Sequence, residues 1–184
     1  QLAAAPAPLA GPDRAATARV AVPIPQRWGT LAILIHSAAV FPELTSVTQI
    51  DQTAFSKALA ANVLATQALL AAFDPLLRKS EDARVIALTS TVVAQPRAYF
   101  GAYGATKAAQ EALLDCYAQE VRNISKIRVA IVNPRATRTA MRAKAYPGED
   151  PSSVKPPEAV ADRLVALLGE QFASPHRETV NPTA

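Results

Sequence analysis

"RVIALTS", Arg84 to Ser90, is an apolar run without alternation that closes on a small hydroxyl residue. Such a run leaves no side for water, so it reads as a strand buried on both faces, as in a parallel sheet covered by helices. Two more runs share the pattern: "LAILIH", Leu31 to His36, and "RVAIVN", Arg128 to Asn133, the latter stopped by Pro134. Helical patterns separate them. Asp51 to Leu77 carries Phe55, Leu59, Val63, Leu64, Leu69 and Leu70 as an apolar stripe, with Pro75 expected to kink or end the helix. A loop holding Gln95, Pro96 and Gly101 leads into a second long helix, Tyr103 to Asn123, and a third runs from Pro157 to Leu168 with Gly169 at its end. Strands and helices in alternation predict an α/β fold with a doubly wound parallel sheet.

The bulk properties agree with one domain. A chain of 184 residues, 50% apolar, is long enough for one sizeable core and short for two. No run approaches the ~20 apolar residues of a membrane span, and the Ala/Pro-rich start lacks the pattern of a signal peptide, so a soluble, cytoplasmic protein with no membrane partner is expected. The net charge is +4, and seven cations (Arg122, Lys126, Arg128, Arg135, Arg138, Arg142, Lys144) crowd one region. They are spread over several elements without interleaved aromatics, which points to a solvated surface or a phosphate-bearing small molecule and not to nucleic acid. The single cysteine, Cys116, shares helical spacing with Leu113 and Tyr117 and reads as a buried core thiol. With His36 and His176 the only histidines, no metal site is expected, and His36 reads as a satisfied histidine at a strand end.

The first 30 residues fit less easily. "QLAAAPAPLAGPDRAATA" is low in complexity, "RVAVPI" (Arg19 to Ile24) resembles another buried strand, and only Pro25 to Thr30 separate it from Leu31. A parallel crossover needs roughly a dozen residues. The reading is therefore a single domain over 1–184 whose first 30 residues are divergent or discontinuous: either these two runs are not parallel neighbours or, the favoured reading, a segment of the natural chain is omitted.

The chemistry centres on "YGATK". Tyrosine has an ordinary pKa of about 10 and is a poor acid at neutral pH; a lysine one helical turn on, and the positive end of a helix, favour its phenolate. Tyr103 and Lys107 have that spacing. Ser90 leaves the end of a buried strand, the edge at which open parallel sheets bind ligands. Asn62 lies on the preceding helix, "HSAA" (His36 to Ala39) follows the first clear strand, and "NPRATRT" (Asn133 to Thr139) leaves the third. Four segments thus converge on one edge.

In this combination the sequence resembles the short-chain dehydrogenases/reductases over Trp28 to Leu168, most clearly over 31–168. "YGATK" looks like the family's Tyr-x-x-x-Lys, with Ser90 thirteen and Asn62 forty-one residues before Tyr103. "LIHSAAV" stands where the family has Asn-Asn-Ala-Gly, and "NPRATRTAM" where it has Pro-Gly and a threonine that binds the nicotinamide carboxamide. "TRTAMRAKAYPGEDP" further resembles a bacterial subgroup. The resemblance implies a Rossmann-like fold and an oxidoreductase that interconverts a carbonyl and a secondary alcohol, with NAD or NADP as cofactor and a small-molecule substrate. It implies Tyr103 as general acid/base and Lys107 as the group that lowers its pKa and binds the nicotinamide ribose. Ser90 would orient the substrate oxygen, and Asn62 would hold a relay water for Lys107. Ser37, Ala38, Ala39, Asn62, Tyr103, Lys107, Pro134, Thr137 and Thr139 would line the cofactor, and a homo-oligomer, dimer or tetramer, would form through the two long helices.

The departures are specific. The family's Thr-Gly-x-x-x-Gly-x-Gly phosphate loop has no counterpart among Gly11, Gly29, Gly101, Gly104, Gly148 and Gly169, so the sheet reads as incomplete on its N-terminal side. Arg135 replaces the glycine after Pro134, where it would bind an anion or obstruct the cofactor. Gln95, Arg97 and Phe100 would flank substrate or lie on the surface. "RETV" would begin a last strand in a C-terminal region that frays. The alternative function is a non-catalytic, dehydrogenase-like binding or structural subunit with a degenerate cofactor site.

Overall fold

A computed structural model describes residues 29–181. Among these residues four parallel strands, β1 (Ile33–His36), β2 (Ala83–Leu88), β3 (Ile127–Asn133) and β4 (His176–Thr179), form one sheet in the order β1-β2-β3-β4. The long helix α1 (Gln52–Leu77) connects β1 to β2. The short helix α2 (Thr91–Ala94) and the long α3 (Gly101–Val121) connect β2 to β3, and α4 (Ala140–Ala145) and α5 (Pro157–Gly169) connect β3 to β4. The "RVAVPI" run and the expected discontinuity before Leu31 lie outside the described residues.

The unbroken apolar runs have the expected cause, because both faces of the sheet are covered. Val85, Ala87, Val129 and Ile131 pack against Leu70, Phe73 and Leu77 of α1 and Leu114, Tyr117, Ala118 and Val121 of α3. The alternate residues, Ile86, Ala130 and Val132, pack against Val160, Leu164 and Leu167 of α5. At roughly 1.5–3 kcal/mol for each fully buried large side chain, these two layers dominate the stability of the fold.

The element ends shift for local reasons. The first strand starts at Ile33 and not at Leu31, whose amide donates instead to the Leu76 carbonyl at the end of α1, 3.2 Å away. The second stops at Leu88, and Ser90 becomes the N-cap of α2. Asp51 caps α1, its carboxylate accepting from the Ala54 amide at 2.7 Å. Pro75 lies inside α1, which ends two residues later. At Gly101 a Cβ would come within 2.8 Å of Val47 Cγ2, so any larger residue at the start of α3 would require that side chain to shift.

Three sequence expectations are corrected. Cys116 is exposed, because α3 turns Leu114, Tyr117 and Ala118 into the core and leaves Cys116 on the outer face. The C-terminal region does not fray at "RETV": β4 pairs with β3, and Arg163 of α5 pairs with both Glu178 and Glu170. By length and composition α1 could cross a membrane, with a mean hydropathy of 1.3 over its most apolar window, contrary to the reading that no segment could. In the fold its apolar face covers the sheet.

Candidate active site

The carboxyl ends of β1, β2 and β3 open into one cavity of about 560 Å³. Ser37, Ala39, Ser90, Tyr103, Lys107, Pro134, Thr137 and Thr139 all line it, so most of the expected site residues come together. Gln95, Arg97 and Phe100 also line it, which places the loop before α3 on the cavity and not merely on the surface. Ala38 and Asn62 are not among the lining residues; Asn62 is fully enclosed behind the wall.

Asn62 stands in a π-helical turn, Ala60–Leu64, in the middle of α1. Such turns reorient side chains and recur at functional sites. Its amide accepts from the Val40 amide at 2.7 Å and donates to the Val40 carbonyl at 2.9 Å and to Thr106 Oγ1 at 2.8 Å. Thr106 in turn donates to the Tyr103 carbonyl at 2.8 Å. Asn62 therefore ties the loop after β1 to the first turn of α3, the turn that carries Tyr103.

Lys107 is buried, and its ammonium donates to the Leu88 carbonyl and to Gln110 Oε1, each at 2.9 Å. Gln110 Nε2 donates to Thr66 Oγ1 at 3.1 Å, and Thr66 donates to the Asn62 carbonyl at 2.8 Å. A chain of side chains thus joins Lys107 to Asn62. Sequence reasoning missed Gln110, Thr66 and Thr106, although Tyr103, Lys107, Gln110 and Leu114 recur on one helical face, a signal that Gln110 points inward.

The electrostatics correct another expectation. Lys107 Nζ lies 6.0 Å from the centroid of the Tyr103 ring and donates to the Leu88 carbonyl, and at Tyr103 burial outweighs what favours the phenolate. Burial pushes the Tyr103 phenol up to about 12, against a smaller lowering by the Ser90 hydroxyl. Burial likewise lowers the Lys107 ammonium to about 8, with Glu111 partly opposing. At neutral pH the pair is a protonated phenol beside an ammonium close to its own titration point.

His36 is buried, and its Nε2 has no hydrogen-bond partner among the described residues, so it is not the satisfied histidine the sequence suggested. Burial first and Lys107 second lower its pKa to about 4.

The loop after β3 is braced by a residue that sequence reasoning also missed. Lys155 is buried and donates to the carbonyls of Pro134 at 2.5 Å, Val180 at 3.0 Å and Ala136 at 3.2 Å. Nothing in its surroundings, "SSVKPP", marks it. Arg135 takes a positive φ of 52°, the conformation that favours the glycine it replaces. Its guanidinium donates to Asn181 Oδ1 at 2.9 Å.

Helices on both faces of a parallel sheet, with a Tyr–Lys pair at the strand ends, define a Rossmann-type α/β domain. The family model for short chain dehydrogenase matches residues 4–150, beginning upstream of Trp28. The uncharacterized oxidoreductase YciK of Escherichia coli strain K12 is 35% identical over 152 residues, covering 83% of this chain and 58% of YciK. The chain thus spans less than two thirds of that relative's length. Among solved structures, a short chain dehydrogenase from Pseudomonas syringae is 32% identical with a TM-score of 0.89, covering 94% of this chain and 71% of that one. One from Shigella flexneri, complexed with NADP, is 30% identical with a TM-score of 0.85, covering 92% and 71%. The chain belongs to the short chain dehydrogenase family.

Proposed function

We propose that this protein is an NAD(P)-dependent oxidoreductase that interconverts a carbonyl compound and a secondary alcohol, with Tyr103 as general acid/base. The observation that carries the reading is the meeting of Tyr103, Ser90 and Lys107 in one cavity at the ligand-binding edge of the sheet. The relative from Shigella flexneri solved with NADP supports the choice of cofactor.

The cavity suits the nicotinamide end of such a cofactor. The hydroxyls of Ser37, Thr137 and Thr139 line it beside Lys107, whose two hydrogen bonds leave one ammonium N–H for a ribose hydroxyl. Thr137 Oγ1 donates to the Pro134 carbonyl at 3.1 Å, which leaves its oxygen as an acceptor and supports a role for it toward the carboxamide. The bound cofactor supplies the hydride donor or acceptor. Among the described residues no glycine triplet stands ready for the diphosphate, so the assignment covers the nicotinamide and its ribose.

The chain's own part is proton transfer and positioning. Ser90 orients the substrate oxygen by hydrogen bonding, while Tyr103, protonated at neutral pH, gives up its proton to that oxygen as it gains charge. The Lys107 ammonium stabilises the phenolate left behind. Asn62 and Thr106 fix the turn that carries Tyr103, and Gln110 fixes Lys107. Self-association through α1 and α3 belongs to the same reading and is checked by light scattering. The function is tested by following oxidation of NADPH and NADH with a panel of aldehydes and ketones. Carbonyl-dependent oxidation is expected; absence of both turnover and cofactor binding overturns the reading.

A further inference from the structure

An aromatic wall leads away from Tyr103. The Phe41 ring lies 4.9 Å from the Tyr103 ring, Phe100 5.9 Å from Phe41, and Tyr146 6.1 Å from Phe100, centroid to centroid. All four rings line the cavity, and the wall ends on cations. Arg97 Nη1 donates to the Tyr146 hydroxyl at 3.1 Å, and the Arg142 guanidinium carbon sits 3.6 Å from the centroid of the Tyr146 ring.

The two arginines differ in what they have left to offer. Arg142 is held by two parallel hydrogen bonds to Glu149, of 2.6 and 2.5 Å, so its charge is matched. Arg97 is exposed, and its side-chain partner among the described residues is the neutral Tyr146 hydroxyl. Arg97, Lys107, Arg135 and Arg142 line the cavity, and no carboxylate side chain is among the described residues that do. Lys107 sits at the reacting end and Arg135 is turned to Asn181, which leaves Arg97 as the cation at the far end of the wall.

We infer that the substrate is an extended apolar carbonyl compound with a carboxylate at the end remote from the reacting carbon. The carboxylate is read by the Arg97 guanidinium together with the Tyr146 hydroxyl. The inference rests on the oxidoreductase reading for the position of the carbonyl. A planar guanidinium fork matches a carboxylate. The second charge of a phosphate ester would meet Arg142 already engaged by Glu149.

The test compares para-acetylbenzoate and the longer para-acetylcinnamate with their methyl esters, using the full chain and NADPH or NADH. The acid is expected to exceed its ester in kcat/KM by about tenfold, the gain of a charge-assisted pair, and to lose part of that lead at high salt. Arg97→Gln brings the acid-to-ester ratio toward one, and Arg97→Lys restores part of it. Equal rates for acid and ester, or a ratio that Arg97→Gln leaves unchanged, overturn the inference. If no probe turns over, calorimetric binding decides. Acids that bind more tightly than esters in an Arg97-dependent way uphold the anion subsite while the oxidoreductase reading fails. Binding without that preference, or no binding, overturns the subsite.

Discussion

Lys107 and Gln110 stand one turn apart on α3, and inside a closed interior the ammonium of the first donates to the amide oxygen of the second at 2.9 Å. Gln110 thereby holds the lysine that is to stabilise the Tyr103 phenolate. Turnover that needs the ammonium falls as pH rises through about 8. Gln110→Glu puts a carboxylate beside that ammonium, which favours its charged form, so the alkaline limb of the kcat/KM profile moves up by roughly 1–3 pH units. Gln110→Leu removes the acceptor and moves the limb down. Superimposable profiles would show that Gln110 only fills space.

His36 makes stability depend on pH. Its pKa is lowered in the fold to about 4 from an ordinary 6.5, so the unfolded chain binds the extra proton first. Its contribution is complete above about pH 6.5 and is lost as pH falls toward 4, a decline of about 3 kcal/mol at full effect. Urea denaturation across this range should show a decline that His36→Leu flattens. An equal decline in the variant would place its source elsewhere.

Arg135 carries backbone strain. A non-glycine residue at a φ of 52° is disfavoured, and relieving it with Arg135→Gly should stabilise the protein by about 1 kcal/mol, read from the urea midpoint. The hydrogen bond that this change removes, to Asn181, is exposed and contributes little. A lower midpoint would mean that the Asn181 contact outweighs the strain.

Lys155 holds three carbonyls on two sides of the loop that carries Thr137. Lys155→Met removes this donor from the Ala136 and Val180 carbonyls, while Pro134 keeps Thr137, and should cost about 3 kcal/mol, given roughly 1–3 kcal/mol for each buried group left unpaired. Because the damage falls on the loop and not on Tyr103, KM for the cofactor should rise more than kcat falls. The reverse pattern would give Lys155 a part in the chemistry.

Much of the fold was legible because strand and helix periods are local. The three apolar runs became β1, β2 and β3 with small shifts at their ends, and Tyr103 and Lys107 were visible as a pair because their spacing is one helical turn. What depends on packing was hidden. Cys116 and Tyr117 are neighbours on α3, yet one faces water and the other the core, a phase set by how α3 lies on the sheet. The direction of the Tyr103 shift is set by how deeply the packed fold buries the phenol, which spacing along α3 does not show. The π turn at Asn62 and the isolated Lys155 left no periodic trace. β4 is ordered by its pairing with β3, and Arg163 of α5 adds ion pairs to Glu170 and Glu178, neither of which the local pattern of "RETV" shows.

The central claim is that Tyr103 delivers the proton to a substrate oxygen in the cavity. The most direct measurement is single-turnover reduction of a carbonyl substrate by the protein loaded with NADPH or NADH, comparing wild type with Tyr103→Phe at matched cofactor binding. The variant keeps the ring against Phe41 and loses only the hydroxyl. The account predicts a fall in rate of about 10²–10⁴-fold, the usual contribution of a positioned general acid, with cofactor affinity retained. An unchanged rate would contradict it.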